Sequence, residues 1–268
     1  MARFVKFVTG TSLSGLHAEI SDEAIALTSV MTQGVLHAFL ALTMFEPAYA
    51  DATRERTHDD WKHNVDLQQA HEERLAAEDP REISASDYFE WKRGISGEAK
   101  SEVLREKWAA GELPDELKSQ LAFLHAQTFV AALAQVERAF GKLAKMDLGG
   151  AEVEVRAACD GYEAAVPSLK AVRDSVEHAE DRRRGLNRHG QKMTLAPITN
   201  TWIDAPGGGV LVAGALRGTN LAWTVDDGSY REVEVSDATI ESARAAVQRA
   251  LDALPWEEHG YPRHVPSS

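Results

Sequence analysis

The pattern of apolar positions changes its period once along the chain, near Gly190. Before that point apolar residues recur at helical spacing, and after it they alternate as they do in strands. The clearest helical seam has steps of three and four residues and consists of Phe129, Leu133, Val136, Phe140 and Leu143. The pattern predicts a mainly α-helical protein, a helical bundle followed by a small C-terminal antiparallel β-sheet and a closing helix.

Start and stop signals divide the helical part of the chain. Ser21-Asp22-Glu23 predicts a helix that runs to about Phe45, since acidic residues in a first turn favour the positive end of the helix dipole. Pro47 is expected to open a second helix that ends at Asp79-Pro80. Residues 81–97 are expected to be irregular and to precede a short helix over 101–110. Further helices are predicted over 114–148, 151–165 and 167–185.

Four short strands are predicted after the change of period, separated by turns rich in glycine and aspartate. They are expected over Ile198–Ile203, Val210–Leu216, Ala222–Val225 and Arg231–Val235. Ser236-Asp237 is expected to cap a last helix over 238–254. These elements suggest an N-terminal helical region over 1–112, a bundle core over 113–190, strands and a closing helix packed on it over 191–255, and a loose tail over 256–268.

Composition and charge narrow the class of protein. The chain has 268 residues, of which 44% are hydrophobic and 26% charged, as in ordinary globular proteins. Its formal net charge of −13 repels polyanions, so any contact with nucleic acid would have to be local. The single cysteine, Cys159, has no intrachain partner, and no export signal is read at the N-terminus, so a cytoplasmic location is expected.

One segment satisfies the length requirement for crossing a bilayer. Residues 24–45 contain no Lys, Arg, Asp or Glu. The segment nevertheless contains polar residues, and acidic residues flank both of its ends. These features favour a buried core helix over a membrane helix, which stays the alternative.

The most specific local feature is an arginine and a histidine five residues apart, Arg173 and His178, with Asp174 directly after the arginine. If the helix continues through them, Asp174 lies one turn below His178 and can orient its ring, while Glu177 pairs with Arg173. A histidine suits proton transfer near neutral pH, and an arginine can bind phosphate oxygens in a fork. His178 is therefore a candidate acid or base, next to an arginine that can bind phosphate.

The segment resembles the HEPN superfamily, whose motif is Arg, a polar residue, three further positions and His. The resemblance is strongest over the predicted bundle and the strands and helix after it. It implies a metal-free and cofactor-free cleft formed by two motif helices in a homodimer, in which a ribose 2′-hydroxyl attacks the adjacent phosphate. By that resemblance, His178 would move protons and Arg173 would stabilise the charged intermediate, with Asp174 in the place where Asn is more usual.

Spacing alone does not decide the matter, because a chain with this many arginines and histidines is expected to hold about one such pair by chance. A second pair exists, Arg184 and His189, but it spans Gly185 and Asn187 and is interpreted as the accidental one. For Arg173 and His178 the alternative is two surface residues on a charged helix.

A basic run follows the motif and is a candidate phosphate-binding rim. Its members are Arg182, Arg183, Arg184, Arg188 and Lys192. The alternative is a solvated helix end whose positive charges favour the negative end of the dipole. Asp59, His63 and His71 share a helix face but lack a zinc-ligand motif, so a solvated charged helix is favoured and no metal is expected.

Two hypotheses on function follow. The first is a metal-independent endoribonuclease that acts on RNA as a homodimer, in a toxin or phage-defence setting and with a neutralising antitoxin or other protein partner. The second is a non-catalytic HEPN-fold module that binds a protein partner or a nucleotide, and it is favoured by the acids around the motif: Asp174, Glu177, Glu180 and Asp181. The nuclease requires Arg173 and His178 to be exposed in one cleft, whereas burial or divergence of the two side chains favours the binding module.

Overall fold

The structure, a computed structural model, describes residues 6–55, 57–79 and 83–257, without the side chains of Asp115 and Glu116. Over these residues the protein is mainly helical, with small antiparallel sheets and a C-terminal helix, which confirms the predicted fold class. The helices are α1 (Ala18–Thr53), α2 (His58–Glu78), α3 (Tyr88–Ala109), α4 (Asp115–Leu143), α5 (Glu152–Ala165), α6 (Leu169–Glu177), α7 (Ala179–Arg183) and α8 (Asp237–Ala253). The strands are β1 (Ile198–Thr199), β2 (Asp204–Ala205), β3 (Ala215–Arg217), β4 (Asn220–Thr224) and β5 (Tyr230–Glu234).

The chain divides into two compact units. The first consists of Met1–Glu46 with Phe123–Ser268, and the second is Pro47–Ala122. Helices α1 and α4 therefore each contribute residues to both units. The first described residues of the chain group with its C-terminal half.

The core of the first unit is built on the predicted seam of α4. All five seam residues, Phe129 to Leu143, are buried. Gly34 of α1 lies against this helix so closely that a Cβ atom there would stand 2.6 Å from Val136 and 3.1 Å from the Ala132 carbonyl oxygen. From α5, the buried Tyr162 hydroxyl donates a hydrogen bond of 2.7 Å to the Leu133 carbonyl. These contacts bring α1, α4 and α5 together, and α8 packs against α5.

The β-sheet supports α6. Strands β3, β4 and β5 form an antiparallel sheet in that order, and β1 pairs with β2 separately. Both β4 and β5 contact α6, and Trp223 of β4 is fully buried. Between β4 and β5 the predicted Asp226-Asp227-Gly228 turn forms, with Gly228 at a φ of 80° that favours glycine. The sheet therefore packs against α6, and the acidic β4–β5 turn lies in the same part of the fold.

Several element boundaries differ from the prediction. Pro47 does not open a new helix but lies inside α1, which continues to Thr53. The stretch expected to be irregular is largely helical, because α3 begins at Tyr88. The first two predicted strands are shortened to β1 and β3, and β1 pairs with β2, which begins just after the predicted first strand. Strands β4 and β5 lie within two residues of their predicted ranges.

The second unit is dominated by α2 and α3, which pack against each other. Thr57 and Asp60 form a capping box at the start of α2, so the first turn of this charged helix is well satisfied. No residue of α2 is buried. Polar contacts therefore carry much of the pairing, such as the contact of His71 Nδ1 with Glu102 Oε2 at 2.8 Å.

The first and last described segments of the chain pair with each other. Val8 exchanges hydrogen bonds of 3.0 and 2.9 Å with the Gln248 amide of α8. Leu13 forms an isolated bridge with Trp256, and the Glu257 amide donates to the Ser12 carbonyl at 3.0 Å. Of the predicted tail, residues 258–268 lie outside the described residues.

Among the described helices, α1 is the one that is long and apolar enough to cross a membrane by length and composition. The core helix of a soluble protein passes the same test. In the structure α1 contributes Met31, Val35, Ala38 and Leu42 to the core of the first unit.

Candidate functional site

The motif helix is shorter than the sequence predicts and ends before the histidine. Helix α6 buries Leu169, Val172 and Ser175. It ends at Glu177, and His178 is its C-terminal cap with φ −115° and ψ 40°. The expected continuous helix to Gly185 is therefore wrong, because the backbone leaves the helical conformation at His178 before α7 begins at Ala179. The His178 amide still donates to the Asp174 carbonyl at 3.1 Å.

Arg173 is held by the two acids that flank it on α6. Its Nη2 atom lies 2.8 Å from Asp174 Oδ1, and its Nη1 atom lies 3.3 Å from Glu177 Oε2. The side chain is only 13% exposed. The predicted pairing with Glu177 is thus present, whereas Asp174 binds the arginine and not the His178 ring. Because its charge is balanced by two carboxylates and its surface is largely covered, this guanidinium is poorly placed to bind a phosphate.

His178 is exposed at the end of α6. Its ring nitrogen and the carboxylates of Glu180 and Asp181 offer ligand atoms within 4.8 Å of one another. Among the described residues, these three side chains form a group that can hold a metal ion. Glu180 is exposed as well, and Asp181 also pairs with Arg184 at 3.6 Å.

A cleft of about 590 Å³ lies beside α6. It contains two of the predicted site residues, Asp174 and Arg188, whereas Arg173 and His178 are not among its lining residues. The other charged residues of its lining are Glu137, Glu163, Lys170, Asp226 and Asp227. Two of its five carboxylates are already paired, Asp174 with Arg173 and Asp226 with Arg182, and the other three outnumber the two basic groups of the lining. This cleft, called here the α6 cleft, therefore has a negative lining.

Glu137 of α4 is an acid of the α6 cleft whose carboxyl group is partly buried. Burial raises the pKa of its carboxyl above the ordinary value of 4.5, and the Arg173 charge opposes that rise. Glu163 and Asp174 push the pKa in the same direction as burial does. Its Oε2 atom is buried without a hydrogen-bond partner, and so is Arg173 Nε. The polar groups around α6 are therefore incompletely satisfied.

The basic run after the motif divides into a structural and an exposed part. The Arg182 side chain is only 1% exposed, and it donates hydrogen bonds to the Leu186 carbonyl at 2.7 Å and to Asp226 at 2.9 Å. This arginine ties α7 to the β4–β5 turn and presents no surface to a phosphate. Arg188 is exposed and also contacts Asp226, through its amide at 2.6 Å and its Nε at 3.4 Å. Arg183, Arg184 and Lys192 are exposed.

Sequence reasoning missed most of the α6 cleft. Asp226 and Asp227 were interpreted only as turn residues, and Glu137 is a single acid next to the apolar seam. Glu163 and Lys170 lie on different helices, α5 and α6. These residues meet only through the tertiary fold, and no spacing along the chain signals that they share a cleft.

Comparison of the chain with protein-family models, with curated proteins and with solved structures finds no match.

Proposed function

We propose that this protein is a HEPN-like binding module without nuclease activity, and that its α6 cleft receives basic side chains of a protein partner. The observation that carries the proposal is the state of Arg173, which is largely buried and neutralised by Asp174 and Glu177. The nuclease hypothesis needs this arginine free and in one cleft with His178.

The charge of the α6 cleft supports a basic ligand. Its lining contains Glu137, Glu163, Asp174, Asp226 and Asp227, and a phosphate backbone would be repelled by them. A guanidinium or ammonium group can gain charge-assisted hydrogen bonds from Glu163 and Asp227, whereas Asp174 and Asp226 are already bound by arginines. The net charge of −13 favours the approach of a basic partner over that of RNA.

Binding of a basic probe tests the proposal directly. We expect a hexa-arginine peptide to bind the protein in isothermal titration, with an affinity that falls as salt is added. Glu163→Gln should weaken binding, because Glu163 lines the α6 cleft. Glu154→Gln is the matched control, since it removes the same charge from an exposed position of the same helix. Equal losses in both variants would mean that the peptide senses only net charge, and the proposal would fail.

A metal-independent endoribonuclease is the second candidate function, favoured by the exposure of His178 and of the rim residues Arg183, Arg184 and Lys192. In this case two copies of the chain would have to complete the site. Incubation of mixed RNA with the purified protein in EDTA distinguishes the two functions. Our proposal predicts no cleavage. Products with 2′,3′-cyclic phosphate ends that disappear in both His178→Ala and Arg173→Ala would establish the nuclease instead.

A further inference from the structure

A second cleft, of about 540 Å³, lies on the α2–α3 pair in the second unit. Its walls combine two aromatic side chains, Tyr88 and Trp91, with two carboxylates, Glu72 and Glu73. Val65, Ala76 and Ile95 add apolar surface. We call it the aromatic cleft. Its mixture of rings, acids and aliphatic groups differs from the largely charged lining of the α6 cleft.

The aromatic rings are held in place without a ligand. The Trp91 Nε1 atom donates a hydrogen bond of 3.1 Å to Asp79, which fixes the orientation of the indole. The Tyr88 ring lies against it, with the ring centroids 6.0 Å apart and the planes tilted by 38°. Tyr88 stays 44% exposed. An exposed aromatic surface is thus already ordered, which lowers the conformational entropy that the side chains of the cleft lose when a ligand binds.

The carboxylates of the aromatic cleft are also fixed. Glu72 accepts hydrogen bonds from the Ser96 hydroxyl at 2.7 Å and from the Gln68 amide at 2.9 Å. These two bonds lower the pKa of the Glu72 carboxyl, so it carries its charge at neutral pH. Glu73 accepts a bond of 2.9 Å from Gln69. Both carboxylates of the aromatic cleft are therefore held in defined positions by neighbouring side chains.

These features select the chemistry of the ligand. An aromatic face attracts a cation through its quadrupole, and a carboxylate adds to that attraction. One Glu72 oxygen already accepts two hydrogen bonds, from Gln68 and Ser96. A ligand with many N–H donors therefore finds fewer acceptors in this cleft. A cation that carries methyl groups in place of N–H groups needs none and also covers the apolar wall. We propose that the aromatic cleft binds a trimethylammonium group.

Lys92 places a positive charge in the aromatic cleft, beside Glu72. It belongs to the lining, and its ammonium charge helps to lower the pKa of Glu72. The positive charge of this lysine repels a trimethylammonium ligand and weakens the attraction that the carboxylates exert on it. Removal of the lysine charge therefore strengthens ligand binding, an effect that damage to the fold cannot imitate.

Choline and its uncharged carbon analogue 3,3-dimethylbutan-1-ol test the proposal in the full-length protein. In isothermal titration and in saturation-transfer spectra of the methyl protons, choline should bind saturably and the analogue should not. We expect Trp91→Leu and Glu73→Gln each to weaken binding by about threefold or more, and Lys92→Gln to tighten it about threefold. Trp108→Leu, which removes an exposed tryptophan elsewhere on α3, is the control and should leave binding unchanged.

Two sources of the trimethylammonium group are distinguished by a second arm. Binding of free choline alone would indicate a small-molecule ligand, whereas sedimentation with phosphatidylcholine vesicles that choline competes away would indicate a lipid headgroup. Equal binding of choline and the uncharged analogue overturns the proposal. So does a failure of Lys92→Gln to increase choline affinity in a protein whose circular dichroism matches that of the unaltered chain.

Discussion

Arg173 and Arg182 illustrate how the surroundings of a side chain decide its role. Both were candidate phosphate ligands on the basis of sequence, and both are largely buried in the structure. Arg173 is enclosed by acids of its own helix. Arg182 instead connects α7 to the β4–β5 turn through Asp226 and the Leu186 carbonyl. The sequence alone does not distinguish these two arginines. In the structure, Arg173 forms ion pairs within its own helix, and Arg182 holds two elements of the fold together.

Arg182→Met should destabilise the first unit. The change removes two hydrogen bonds and leaves Asp226 without its buried partner, which is expected to lower the free energy of unfolding by about 2–4 kcal/mol. Urea unfolding followed by tryptophan fluorescence measures this loss. Arg183→Met is the control, because Arg183 is exposed and should change stability by less than about 0.5 kcal/mol. A similar midpoint for both variants would show that the Arg182 contacts contribute nothing.

Glu137→Gln should stabilise the protein at neutral pH. The folded-state pKa of Glu137 is raised by burial, so the folded protein binds this proton more tightly than the unfolded chain does. Ionisation at pH 7 therefore costs stability, and an uncharged amide avoids that cost. Arg173 keeps Asp174 and Glu177 as partners in the variant.

The pH dependence of this gain separates the charge effect from a packing effect. The difference in urea midpoint between Glu137→Gln and the unaltered protein should be largest at pH 7 and should shrink as the pH falls toward 4.5, the ordinary pKa of the group. Glu154→Gln, at an exposed position, is expected to show no such trend. A gain that is the same at every pH would point to packing and contradict the assignment of a raised pKa.

At the scale of elements, the spacing of apolar residues correctly predicts which helix face is buried. It does not predict where a helix ends when contacts with other elements decide the boundary. The seam from Phe129 to Leu143 is buried as expected because its spacing leaves one apolar face to cover. Gly185 was expected to end the motif helix, but the helix already breaks at His178. Pro47 was expected to start a helix, and instead the long helix α1 accommodates it. Residues such as proline and glycine mark positions where a helix can end. Packing against neighbouring residues decides at which of these positions it does end.

Two glycines in helices should respond oppositely to alanine. At Gly34 of α1 the added methyl group would collide with Val136 and approach the Ala132 carbonyl, so the α1–α4 contact must open. We expect a loss of about 1–3 kcal/mol. At Gly141 of α4 nothing lies within 4 Å of the added atom, so the higher helix propensity of alanine should stabilise by about 0.5–1 kcal/mol. Thermal unfolding of both variants checks the pair, and two shifts of the same sign would contradict the close approach of the helices.

At the scale of the whole molecule, charge acts in two opposing ways. The formal net charge of −13 produces self-repulsion at neutral pH, which fades toward the pI of about 5.2. Several carboxyl groups, in contrast, have pKa values lowered by native hydrogen bonds and ion pairs, chiefly Ser96 for Glu72, Arg74 for Glu102, Ser229 for Asp227 and Arg244 for Glu241. Each of these groups stabilises the fold only while it is ionised.

Stability should therefore pass through a maximum near pH 5. A carboxyl whose folded-state pKa is lowered contributes stability above its unfolded pKa of 3.8 or 4.5 and loses it as the pH falls through the folded-state value. From pH 7 to 5 the fading repulsion should raise the urea midpoint slightly, and below about pH 4.5 the midpoint should fall steeply. Added salt screens the repulsion and should flatten the rise above pH 5 while it leaves the acid limb in place. A midpoint that keeps rising below pH 4, where the net charge is already positive, would contradict the contribution assigned to the paired carboxylates.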